Sequence, residues 1–149
     1  MVQFSLLPSA DTAELADDIR ELFDDVSRTL DRTQRAYSGD CHPALDVFET
    51  DTAIEVCVDV AGIPSAALRV LFRSGVLLIV GEKAPEPTAT EQTFHLVERA
   101  FGRFARAVRL AGAFDVQNSR ATLRNGELLI VLPKIDDRRG HAHRIPIRS

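Results

Sequence analysis

The sequence predicts an all-β antiparallel sandwich with a helical arm before it and a short extension after it. Three observations carry that expectation. The apolar period changes from helical to two near Pro43. Beyond that point five or more short β-forming runs succeed one another at close spacing with no helix between them. Two of their connections, Ser74-Gly75 and Asn125-Gly126, are tight-turn dipeptides. The expected division is an arm over residues 1–42, a sandwich over 43–135 and an extension over 136–149.

In the arm, Leu15, Ile19, Leu22, Val26 and Leu30 recur at helical steps, with Phe23 widening the stripe, which predicts a helix over residues 9–37. Asp11 with Glu14 three residues on reads as its amino-terminal cap. Amphipathicity leaves two roles equally open: a docking helix, or a partly exposed arm offering its apolar face to partners. The break at Ser38-Gly39-Asp40 separates it from the strands.

The first strand of the sandwich falls over residues 44–50. In the second, Ile54, Val56, Val58 and Val60 alternate with Glu55, Cys57 and Asp59, giving one apolar and one wet face. Leu68, Val70 and Phe72 alternate with Arg69, Leu71 and Arg73 before Ser74-Gly75, after which Val-Leu-Leu-Ile-Val-Gly reads as a more fully buried strand. Prolines make residues 84–93 an exposed loop. Residues 98–110 are ambiguous from pattern alone. Phe101, Phe104 and Val108 lie at helical spacing while Gly102 opposes a helix. As a strand, the segment would put Arg106 among apolar groups and require a carboxylate or carbonyl partner. The hairpin at Asn125-Gly126 completes the set, ended by Pro133.

Composition excludes several functions. At 149 residues, 45% hydrophobic and 27% charged, the chain fits one globular domain with arms. No apolar run approaches the roughly 20 residues needed to cross a bilayer, and the start lacks the look of a leader, so the expected location is cytoplasmic. The net charge of -4 hides opposite ends: nine acids against four bases in residues 1–40, and five bases against two acids in 134–149. An acidic total with no basic stripe argues against nucleic acid, and a membrane is not an expected partner either. Cys41 and Cys57 read as reduced thiols. His42, His95, His141 and His143 stand near no nucleophile elbow, and two histidines in a tail are fewer ligands than a structural metal site needs. There is no phosphate-cradling glycine loop, so we expect no enzyme activity and no cofactor.

Four separated segments together resemble the small heat-shock protein (alpha-crystallin) family in its bacterial and plant form, over about residues 43–149. Residues 43–63 look like its opening strands, with Val60-Ala61-Gly62 where Leu-Pro-Gly is usual. Residues 94–110 resemble its run of a Glu-Arg pair, a Gly-x-Phe and an Arg-x-x-Arg-Leu. Residues 121–134 resemble its Ala-x-Leu-x-Asn-Gly signature, with Glu127 in place of valine. Ile145-Pro146-Ile147 resembles its terminal Ile-x-Ile. The chain departs at Ala111, where proline is usual, and in an arm whose only aromatics are Phe4, Phe23 and Tyr37.

The resemblance implies an immunoglobulin-like sandwich, makes residues 100–110 a strand, and implies an ATP-independent holdase that binds partly unfolded proteins. It implies a homodimer building block, with an exchanged strand near Gln92, Thr93, Phe94 and His95, and Arg106 paired with acidic groups near that interface. It places a groove at Leu68, Val70, Phe72, Ala121 and Leu123, into which Ile145, Pro146 and Ile147 of a neighbouring subunit dock to build a larger homo-oligomer. Phe4, Leu15, Ile19, Leu22, Phe23, Val26 and Leu30 would form the client-binding arm. The rival expectation is a non-catalytic adaptor or co-chaperone module that binds one folded partner, against which the terminal Ile-Pro-Ile argues.

Overall fold

The computed structural model describes residues 9–29, 41–85, 91–135 and 143–149. The period-two pattern resolves into hairpins: β1 (Leu45–Glu49) with β2 (Ala53–Asp59), β3 (Leu68–Arg73) with β4 (Val76–Lys83), and β6 (Arg120–Arg124) with β7 (Glu127–Pro133). β5 (Gly102–Arg109) pairs with β4, and the short β8 (His143–Arg144) and β9 (Ile147–Arg148) complete the strands. Two sheets result, in the orders β1-β2-β7-β6-β9 and β5-β4-β3-β8, the β-sandwich that the sequence predicts. Both tight turns form as the sequence requires. Ser74 and Gly75 have φ of 51° and 78°, and Asn125 and Gly126 have 53° and 77°, the positive angles that let a two-residue loop match the strand twist.

The ambiguous segment is settled as strand over Gly102–Arg109, while residues 98–101 before it have no regular structure. Gly102 enters β5 with φ of 139°, a conformation that glycine alone adopts without strain. Phe104 and Val108 then point inward, joining Val56, Val58, Leu77, Ile79, Leu128 and Ile130 in the core between the sheets. At this seam Gly81 lies between Leu68 and Phe104 in register. A Cβ on it would come within 2.5 Å of the Phe104 ring and 2.7 Å of Leu68, so the glycine is required by close approach.

β4 is apolar on both faces because the sandwich has a third layer. Leu78 and Val80 point away from the core and, with Leu71 of β3, pack against Leu22 of α1 (Ser9–Thr29). Val26 is fully buried on the same helix, and Leu15, Ile19 and Phe23 are half-buried around the contact. Of the two roles open to this helix, the structure has it docked. It starts at Ser9, two residues before Asp11. Phe4, Leu30 and the rest of the stretch to residue 37 lie outside the described residues.

Acids beside the apolar stripe meet arginines on the sheet. Arg73 lies 2.9 Å from Glu14 and 3.0 Å from Asp18, and Arg69 lies 2.7 Å from Asp25. The Arg103 guanidinium stacks 5.2 Å from the Phe23 ring centroid and donates to Ser27. Burial pushes the Asp18 carboxyl above its ordinary value, although Arg73 opposes that rise. The hydrogen bond from Arg69 holds Asp25 below its ordinary value. A lowered folded-state value means the Asp25 contribution is present above about pH 4 and is lost as pH falls through the lowered value.

Two substitutions test these layers. Gly81→Ala should destabilise the sandwich by about 1–3 kcal/mol through overpacking. Chemical denaturation measures it, and an unchanged midpoint would show that the seam yields freely. Leu22→Ala should weaken helix docking by about 2–5 kcal/mol. Hydrogen exchange should then rise across residues 15–29 and stay constant in β7. Unaltered exchange in the helix would show that another contact holds it.

Candidate functional site

Without the last residues of the chain, β3 and β6 would be sheet edges on the same side of the sandwich, each with a row of unpaired backbone groups. Between them lie the expected wall residues. Leu68, Val70, Phe72 and Ala121 are buried in the core cluster, and Leu123 packs half-buried against it. Phe72 is braced edge-on by Phe114, with ring centroids 5.8 Å apart.

The tail fills this groove. β8 runs antiparallel to β3, pairing His143 with Phe72 and Arg144 with Leu71. The Ile145 N–H donates to the Val70 carbonyl at 3.0 Å, and the Ile145 side chain is only 4% exposed, within the core cluster. The chain then crosses to the other sheet, where β9 runs parallel to β6 and Ile147 pairs with Ala121. Ile147 is half-buried against the same cluster, while Pro146 between the two isoleucines faces solvent. Proline fixes an extended turnless step and has no N–H to leave unpaired at the crossing. The tail occupying the groove belongs to the same chain.

α1 and the tail meet at one corner. Leu22, Asp25, Arg69, Arg144, Ile145 and Ile147 are among the residues around a cavity of about 450 Å³. Arg144 lies 3.3 Å from Glu21 and 3.4 Å from Asp25. These ionic contacts escaped the reading of the sequence, yet they left a signal. Glu14, Asp18, Glu21 and Asp25 repeat at steps of four, three and four, one residue ahead of the apolar stripe.

A second apolar surface lies on the stretch expected to carry an exchanged strand. Residues 91–100 are all exposed and without regular structure in the single chain, so Gln92, Thr93, Phe94 and His95 form no strand there. Phe94 is 71% exposed, Leu96 75% and Val97 66%. With Lys83, Pro85 and Phe101 these residues help line a cavity of about 470 Å³. Arg99 and Lys83 sit over the Phe101 ring, 5.1 and 5.7 Å from its centroid. Arg106, half-buried on β5, donates to the carbonyl of Pro43, one of the two kinds of partner its position requires.

The described residues offer little for chemistry. No group of three His, Cys, Asp or Glu among them could hold a metal ion, and no helix among them is long and apolar enough to cross a membrane. Cys41 and Cys57 are free, and burial raises both thiols above their ordinary value; around Cys57, Glu127, Asp59 and Asp46 add to the rise. Both therefore stay protonated and poorly nucleophilic at neutral pH.

Comparison with known proteins agrees with this architecture. The model of the Hsp20/alpha crystallin family matches residues 46–148, from β1 to β9. Heat shock protein 16 of Schizosaccharomyces pombe is 30% identical over 120 residues, covering 79% of this chain and 84% of that protein. The solved structure of heat shock protein 16.0 from Schizosaccharomyces pombe superposes with a TM-score of 0.62 at 30% identity, over 68% of this chain and 94% of that one. A small heat-shock protein from Xylella fastidiosa, whose structure is described as a distinct high order structure, gives a TM-score of 0.58 at 28% identity, over 68% and 93%. The matched region takes in both sheets, the groove and the tail seated in it, and the chain belongs to the Hsp20/alpha-crystallin family of small heat-shock proteins.

Proposed function

We propose that the protein is an ATP-independent holdase that binds partly unfolded proteins and delays their aggregation. One observation carries this reading: a groove between two sheet edges grips an extended Ile-Pro-Ile segment by backbone pairing and two apolar sockets. Such a receptor reads extended backbone and greasy side chains, which unfolding proteins expose and folded partners hide. Burying two isoleucines contributes about 3–6 kcal/mol before the costs of association, so each occupancy is weak and reversible. Capture proceeds by mass action and uses no nucleotide, cofactor or catalytic residue.

In this proposal the arm over residues 1–42, the sandwich over 43–135 and the extension over 136–149 divide the work in a cytoplasmic homo-oligomer. The seat that a chain's own tail fills also fits the tail of a neighbour, so Ile145, Pro146 and Ile147 would bridge subunits. Many weak bridges then hold an assembly by multivalency. The exposed Phe94, with Gln92, Thr93 and His95, would pair with a second subunit to form the dimer, where Arg106 would find its acidic partner. Leu15, Ile19, Leu22, Phe23 and Val26 would meet clients when α1 lifts from the sheet, together with Phe4 and Leu30.

Two measurements test the proposal. Without ATP, equimolar subunits should suppress the turbidity of an unrelated heat-labile protein. No suppression would favour an adaptor that recognises one folded partner. Light scattering after size-exclusion chromatography should give a smaller mass for Ile145→Ala/Ile147→Ala than for the intact chain, and equal masses would mean that the tail bridges nothing.

A further inference from the structure

The tail is gripped by more than its two isoleucines. Arg144, immediately before Ile145, reaches across to α1, its two terminal nitrogens 3.3 Å from Glu21 Oε1 and 3.4 Å from Asp25 Oδ2. Asp25 is itself fixed: Oδ2 accepts from Arg69 Nε of β3 at 2.7 Å, and Arg69 also donates to Thr29 at the helix end. Arg28 stands 4.0 Å from the other Asp25 oxygen. Asp25 lines the same cavity as Arg144, Ile145 and Ile147, at the mouth of the groove, and Glu21 stands one helical turn before it.

We propose that the tail receptor is composite: β3 and β6 supply the apolar groove, while Glu21 and Asp25 of α1 form a cation socket. Its ligand is an extended segment with a basic residue directly before Ile-x-Ile, and the occupant is the carboxyl-terminal tail of a second copy of this chain. The inference rests on the reading of the groove as a tail receptor. An acid at that position would face two carboxylates, a repulsion that rejects tails of otherwise equal apolar fit. Because the socket exists only while α1 is docked, tail binding steadies the helix and the docked helix tightens tail binding by the same factor.

A charge-swap experiment decides it, on the full chain carrying Ile145→Ala/Ile147→Ala so that its own tail leaves the groove. A fluorescent peptide of residues 143–149 is titrated by anisotropy at low salt, alongside the same peptide with Arg144→Glu. The substituted peptide should bind roughly three- to ten-fold more weakly, the scale of one or two partly exposed ion pairs, and the gap should close at high salt. Adding Glu21→Arg to the protein should weaken the native peptide and strengthen the substituted one. Equal affinities of both peptides would overturn the cation socket and leave the groove standing. Failure of both peptides to bind would overturn the groove reading, and the socket with it.

Discussion

The structure turns on an unfinished side of the sandwich. β3 closes one sheet and β6 the other, and both edges fall along the same flank, where apolar side chains from two layers meet the solvent boundary. A barrel would remove such edges by closure; an open sandwich must cover them with something. Here the cover is a short strip of tail that serves both sheets at once. Arg144 pairs on β3 and Ile147 on β6, with Ile145 sunk between. An edge covered by so short a strip is covered weakly, as the proposed role of a receptor requires.

The third layer obeys the same logic on a face instead of an edge. Leu71, Leu78 and Val80 make the outer side of β3 and β4 too apolar to face water, and α1 supplies the matching stripe. Around that apolar centre the sheet side presents Arg69, Arg73 and Arg103, and the helix carries Glu14, Asp18 and Asp25 toward Arg69 and Arg73. The acidic arm and the basic tail meet at Arg144. Ion pairs this exposed add little stability. Their effect is on where and in which register the helix lands.

Much of this was legible in the residues because period and turn chemistry are local. Ile54 to Val60, the Asn125-Gly126 turn and the alternation of Leu68, Val70 and Phe72 each specify an element without reference to anything distant. The groove walls were legible only through the resemblance, since no local pattern says that Leu68 and Ala121 come together across two sheets. Residues 98–110 show the limit of periodicity, where a helical spacing of phenylalanines was overruled by the φ of Gly102 and pairing with β4. The helix posed the opposite difficulty. Its stripe was plain, but what covered it was written elsewhere, in Leu71, an apolar residue between Arg69 and Arg73, and in Val80, whose strand reads as buried without saying against what. The source of the tail in the groove is not a local property at all. A tail and its seat carry the same complementarity whether they share a chain or not.

That last point governs how the molecule would switch. A neighbour's tail seated as this one is would make the same hydrogen bonds and bury the same isoleucines, so contact energies would cancel in the exchange between them. What remains is the effective concentration set by residues 136–142 of the connection against that set by neighbouring subunits. One tail in trans has no advantage over a tail in cis. Several subunits held together elsewhere do, because each bridge then closes at the high local concentration created by the others. On the proposed reading, a chain leaving such an assembly would refill its own groove, and Arg144 would again meet Glu21 and Asp25. Between one tail and the next, the edge of β3 and the sockets for Ile145 and Ile147 would stand open, and under the proposed holdase activity an unfolding protein would take that place.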